Sequence, residues 1–421
     1  MASVDFSPPF CYNERRRDVT AMPETYISPN ETCGATDSES ITLAIRRAKE
    51  CGCNRVRIPR YNKRTDSELW VIESTIYLPD DSEIVLEGAH LRLADGVFCN
   101  MFANVNVGTP LGRTAAGEQS NITLRGESGA VLDGGKYNGL SERNCSKDGR
   151  PHISVNTTLL FVNVRGLTVE NLSIINQRYW GITNIFVRDS AFRNITFRAD
   201  LSRIDAEGVH HPDELPKSYE EIYVKNADGI DLRVGCHNIL IENITGFTED
   251  DTVALTALGG FEAELGYMVE GGDADIHDVK IRNVAADPFV CAVVRLLNDN
   301  GYKLYNIEVE NITHVCPKER TMRAGRCICI GDMNYASVHS SFGDTHHIVI
   351  RNVVSRAAYA VTLSKGLADS CIENLVVTED GKYGFGGVRG AHAVLGGCTV
   401  RNITTCAPGA LAVDEESFEV K

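Results

Sequence analysis

The chain has 421 residues, 42 basic against 57 acidic side chains (net charge −15), and is 43% hydrophobic and 24% charged. That is globular composition, which excludes a disordered or collagen-like chain, and the acidic surplus excludes a nucleic-acid partner, whose phosphates need clustered Lys and Arg. No apolar run approaches the roughly 18 residues of a membrane span, and the opening MASVDFSPPFCYNERRR lacks the apolar stretch of a signal peptide.

The first signalled element is a helix. Thr42-Leu-Ala-Ile-Arg-Arg-Ala-Lys-Glu50 follows Asp37-Ser38, either of which can cap its start, and Gly52 can end it. Val56-Arg-Ile-Pro59 then returns as a strand, which places the helix over the open first coil of a solenoid.

An apolar-x-apolar-x-Asn-apolar phrase recurs further on, complete or shortened, with its asparagine at 171, 194, 243, 283, 311, 352, 374 and 402. The steps between them are 23, 49, 40, 28, 41, 22 and 28 residues. Steps of 22 to 28 fit one coil of a β-helix, and the longer ones hold an insertion or an unmarked coil. A second strand set lies between: Gly229-Ile-Asp-Leu, Thr252-Val-Ala-Leu, Val293-Val-Arg-Leu, Cys327-Ile-Cys-Ile, Ala360-Val-Thr-Leu and His392-Ala-Val-Leu. Period-two alternation turns one face of each to a core and the other to solvent.

These signals predict an all-β chain, a single-stranded right-handed parallel β-helix with a short N-terminal capping helix. Residues 1–421 form one domain: an arm and cap over about 1–60, then coils over about 61–421 with insertions near 201–219 and 259–275.

The chemistry concentrates in Asn226-Ala-Asp228-Gly-Ile-Asp231-Leu and Glu249-Asp250-Asp251-Thr-Val-Ala-Leu. Aligning the inward pairs Ile230/Leu232 and Val253/Leu255 puts Asp228 and Asp251 on adjacent rungs, about 4.8 Å apart. Asp250 is one position along. Carboxylates that close raise at least one pKa, which suits acid/base work; a solvated acidic turn or a calcium site is the structural alternative.

Arg295, between inward Val294 and Leu296, faces outward in register with Ala254 and Asp231. Arg295 and Asp231 are candidate substrate contacts, or else a salt bridge to one another. His210 and His211 lie in an insertion expected to wall the cleft. Adjacent histidines on a strand cannot point one way, so they suggest a sugar contact or loop packing rather than a metal site. Trp180, beside Tyr179, is a candidate stacking platform. Lys365, just past a site-side strand, is a candidate extra cation.

On these residues the chain resembles the polygalacturonase family of glycoside hydrolases, within the pectin-lyase-like β-helix superfamily. Residues 34–59 resemble its N-terminal cap, Ala130-Val-Leu-Asp-Gly-Gly135 its first Asp-Gly turn, and 160–180 the coils before its site. The family's Asn-Thr-Asp motif falls on Asn226-Ala227-Asp228 and its Asp-Asp pair on Asp250-Asp251. The resemblance implies that Asp250 is the general acid, that Asp228 and Asp251 hold the attacking water, and that the anomeric configuration inverts. Two motifs differ: the family's Gly-His-Gly falls near Val290-Cys-Ala-Val, without a histidine, and its Arg-Ile-Lys near Cys327–Gly331, without a cation.

The expected activity is therefore hydrolysis of an oligosaccharide or polysaccharide, of pectic or related plant or microbial origin, without cofactor or metal. A lyase or epimerase acting on a uronate glycan and a non-catalytic carbohydrate-binding β-helix are the alternatives. The 14 cysteines show no disulfide or zinc spacing and read as small core residues of a reducing compartment. A cytoplasmic location is expected, or secretion if a signal peptide has been removed.

Overall fold

The recurring asparagines stand in one column. All eight, from Asn171 to Asn402, have left-handed backbones with φ between 54° and 60°, a conformation that asparagine tolerates better than other residues bearing a Cβ. From Asn194 onward each side-chain amide donates from Nδ2 to Oδ1 of the asparagine one coil earlier, at 2.8–3.2 Å. Asn243 bonds directly to Asn194, Asn283 to Asn243 and Asn352 to Asn311. The steps of 49, 40 and 41 residues are thus single coils carrying insertions.

The computed structural model describes residues 26–145, 149–320, 322–332 and 335–421; the first 25 residues of the expected arm lie outside these. The helix spans Asp37–Glu50, and its cap is Thr36, whose hydroxyl accepts from Glu39 N. Glu39 reaches back to Ala35 N at 2.7 Å. Asp37, expected as a cap, is buried instead: its carboxylate accepts from Asn62, Arg64 and the Val71 N–H. It ties the helix to the first coils, while Ile41, Ala44 and Ile45 cover the end of the core.

Beyond the helix the strands pair in parallel, coil on coil. One ladder carries the asparagine phrases, through His237–Thr248, Ile276–Pro288, Leu304–His314 and Thr345–Ser355. A second runs through Ile230–Leu232, Val253–Ala257, Val294–Asn298, Arg326–Ile330 and Tyr359–Leu363. Ile230, Val253, Val294, Ile328 and Val361 stack inward, each fully buried. One expected member belongs elsewhere. Val394–Gly396 pairs with Gly366–Ala368, and the next place in the second ladder is taken by Tyr383–Gly387. Glycines at 384, 386 and 387 remove the side chains on which a period-two reading depends.

All thirteen described cysteines are unpaired. No helix among the described residues is long and apolar enough to cross a membrane.

Candidate functional site

Asp228 is placed by the turn into Ile230–Leu232, and Asp250 and Asp251 by the turn one coil later. The Gly229 N–H donates to Asp251 O at 2.9 Å, and Ile230 pairs with Val253. Asp228 and Asp251 therefore occupy adjacent rungs. A Cβ at Gly229 would lie 2.3 Å from Thr252 O, so glycine is what lets the two turns approach this closely. Thr248 braces the second turn by donating its hydroxyl to Asp250 O at 2.8 Å.

Outward from the second ladder, Asp231, Ala254 and Arg295 share one column. Together with the two turns they floor a cavity of about 280 Å³. Trp180 stacks on Tyr179 with ring centroids 4.5 Å apart and meets Phe261 at 5.2 Å, forming one wall. Tyr335 covers Arg295, whose guanidinium carbon lies 5.4 Å from the ring centroid.

Four aspartates converge on this cavity, and their environments differ. Burial, followed by the charge of Asp251, pushes Asp250 up to about 7, although Arg295 pulls the other way. Burial, then Asp231 and Asp250, holds Asp228 well above the carboxylate range. Burial also raises Asp231, against the pull of Arg233. One buried oxygen on each of Asp228, Asp231 and Asp250 has no hydrogen-bond partner. Asp251 has donors for both: Oδ1 accepts from Ala292 N at 3.0 Å and Oδ2 from Arg295 Nε at 2.5 Å.

The bridge between Arg295 and Asp231, the alternative to a substrate contact, does not form. Asp231 lies two rungs away with Ala254 between them, so Arg295 instead takes Asp251 from the neighbouring turn, and Asp332 at 3.1 Å. Arg233, two positions after Asp231, pairs with Glu262 at 2.6 Å, with side chains 7% and 0% exposed. It also sits 4.8 Å over Trp180. Glu262 belongs to the short helix Gly260–Glu264, which locks the 259–275 insertion onto the cavity.

Trp180 lines the cavity, but three other candidates do not. The 201–219 insertion folds on itself, pairing Arg203–Ile204 with His210–His211. His210 bonds Ser202 Oγ at 2.6 Å and stacks on Tyr223 at 3.7 Å, while His211 bonds Asp205 at 2.7 Å. Both imidazoles are thus held by their own loop. Lys365 forms an ion pair with buried Asp299 and lines a separate groove of about 330 Å³.

Sequence reasoning passed over Arg233, Glu142, Phe261, Glu262 and Tyr335. Only Arg233 carried a signal, since alternation from Asp231 points it outward. Asp250, Asp251 and Cys291 bring one potential ligand atom each within 4.8 Å of one another. Arg295 already occupies that space: its Nη2 contacts Cys291 Sγ while its Nε holds Asp251, so a guanidinium stands where a metal ion would.

Neither a protein-family model nor a curated protein matches the sequence. Solved structures do. An endo-xylogalacturonan hydrolase from Aspergillus tubingensis aligns over 94% of this chain and 95% of its own, at 16% identity and TM-score 0.57. A tailspike protein double mutant of E. coli bacteriophage HK620, in complex with a pentasaccharide, aligns over 94% and 67%, at 14% identity and TM-score 0.60. The A-module of the Azotobacter vinelandii mannuronan C-5 epimerase AlgE6 aligns over 94% and 99%, at 11% identity and TM-score 0.53. The shared fold is the right-handed parallel β-helix. At these identities the likeness is one of architecture, and the chemistry rests on the cavity.

Proposed function

We propose that this protein is a glycoside hydrolase that cleaves its substrate by acid/base catalysis with inversion. The observation that carries the reading is the contrast between Asp250 and Asp251. Asp250 is half-buried and pushed up to about 7, with one buried, unpartnered oxygen, whereas Asp251 is buried and matched by Arg295. Two neighbouring carboxyls in unlike environments form an acid and a base.

Asp250 donates its proton to the leaving glycosidic oxygen as the bond to the anomeric carbon breaks. A water held by Asp228 and Asp251 attacks that carbon from the opposite face, and Asp251 accepts its proton. Ligand atoms of Asp250 and Asp251 lie within 4.8 Å of one another, closer than the roughly 6.5–9.5 Å usual between acid and base in inversion. That spacing is nearer the roughly 5–5.5 Å of retaining enzymes, so the configuration of the first-formed anomer is the observation that tests inversion. The cations of the cavity, Arg233 and Arg295, support hydrolysis over chemistry that must neutralise a uronate there, since both are taken by carboxylates. No lysine or histidine lines the aspartate cavity among the described residues, so elimination or epimerisation there would have to take a carboxylate or a tyrosine as its base.

The test is a panel of pectic and neutral oligosaccharides, followed by proton NMR of the first-formed anomer. New reducing ends of inverted configuration are expected. Unsaturated product would replace this reading with elimination, and retained configuration would overturn the roles given to the three aspartates.

A further inference from the structure

A second compartment of about 230 Å³ opens beside the aspartate cavity, and Glu142, Tyr179, Tyr219 and Asn226 line both. Its remaining wall includes two cations, Arg143 and Lys225. Lys225 immediately precedes the Asn226-Ala-Asp228 motif.

These cations are unlike those of the aspartate cavity. There, Arg233 is held by Glu262 at 2.6 Å and Arg295 by Asp251 at 2.5 Å. Lys225, by contrast, reaches only the Glu220 carbonyl at 3.5 Å, and its ammonium rests 4.8 Å over the Tyr219 ring. Neither Arg143 nor Lys225 has an ion-pair partner among the described residues. They are also close enough to oppose each other: burial, then the charge of Arg143, lowers the Lys225 pKa, while Glu249 and Glu220, the latter in the same lining, pull it back only in part. Two like charges facing one space are relieved by an anion placed between them, and a guanidinium suits a carboxylate because its fork matches both oxygens.

The aromatic side of the compartment fits a sugar ring. Tyr219 is 38% exposed and faces both spaces. Tyr223 is set edge-on to Tyr137 at 5.4 Å and backed by His210 at 3.7 Å. His210 is thus a positioning residue for this wall.

We infer that the substrate is a mixed glycan: an uncharged sugar sits in the aspartate cavity, joined to an acidic sugar whose carboxylate lies between Arg143 and Lys225. This rests on the glycosidase reading above. A homopolymer of acidic sugars would bring a second carboxylate among Asp228, Asp231 and Asp250, where like charges meet and every arginine is already taken.

The test is calorimetric titration of the Asp250→Asn protein, which keeps a ligand intact, with three probes. These are glucuronic acid linked to a neutral hexose, the matching neutral disaccharide, and digalacturonate. The mixed probe should bind at least tenfold more tightly than either of the others, with an affinity that falls as salt rises. Arg143→Gln or Lys225→Gln, added to that background, should cut its preference over the neutral disaccharide at least tenfold. Tightest binding by digalacturonate, a preference untouched by both substitutions, or no binding by any probe overturns the inference. If the preference holds but the wild-type protein releases no reducing sugar from the mixed probe or its longer oligomers, the subsite stands and the glycosidase reading falls.

Discussion

Arg295 Nε lies 2.5 Å from Asp251 Oδ2, in a pair whose side chains are only 6% and 4% exposed. The bond crosses one rung, from the outward face of a strand to the turn of the coil before it. It fixes which of the two adjacent aspartates carries a neutralised charge, and leaves Asp250 as the carboxyl without a cation of its own.

Replacing Arg295 should therefore damage both stability and turnover. Arg295→Gln strands the Asp251 carboxylate in a buried site, and breaking such a pair from one side costs about 3–5 kcal/mol. Because the arginine holds a carboxylate, kcat should fall alike on neutral and acidic substrates. Denaturant unfolding and kinetics on one substrate of each kind check this. A loss confined to KM for acidic substrates would make Arg295 a substrate contact.

Asp250→Asn should lower kcat by about 10²–10⁴, the range spanned by general acid catalysis. An amide fills the same space without a proton to donate. Thermal unfolding should be unchanged or shifted upward, because the substitution removes a half-buried carboxyl that has no cation of its own. Turnover within a few-fold of wild type would move the acid to another residue.

The pH dependence has a definite sign. Asp250 is pushed up to about 7 in the folded protein, against about 3.9 for an unfolded aspartate. The native state thus binds this proton more tightly, so the group's contribution to stability is complete below about pH 4 and is lost as pH rises through about 7. The gap in Tm between Asp250→Asn and wild type should widen in favour of the variant across that interval. The alkaline limb of kcat/KM should fall near the same pH in wild type. A Tm difference that is flat from pH 4 to 8 would contradict the assigned environment.

The asparagine column predicts an order of substitutions. Asn311 has φ 58°, donates to Asn283 and accepts from Asn352. Asn311→Ala loses both bonds and must also hold a left-handed backbone, which costs about 1–2 kcal/mol for a residue with a Cβ. Asn311→Gly loses the same bonds without that strain. The glycine variant should be the more stable by about 1 kcal/mol in denaturant unfolding. Equal stabilities would show that the bonds alone matter.

Much of the scaffold was legible because it repeats. The asparagine spacing marked the coils, and period-two alternation placed Asp231, Ala254 and Arg295 in the column they occupy. What failed to read was set by single tertiary contacts. Thr36 rather than Asp37 caps the helix, since Asn62, Arg64 and Val71 claim the Asp37 carboxylate from distant parts of the chain. The partner of Arg295 was misplaced because a column locates a Cβ, while a long side chain reaches across a rung. Phe261 and Glu262 had no periodic signal; their helix is held by the buried bond to Arg233.

The asparagine stack also separates what is constant in this molecule from what is replaceable. Coils of 22 and of 49 residues meet the same column with the same amide bond, so each loop hangs outside a spine whose spacing it does not set. Lengthening, shortening or exchanging the segments that carry Arg143, Tyr219 or Phe261 need not move the aspartates. The walls of the cavity are therefore set by the loops, and the place of the aspartate turns by the spine.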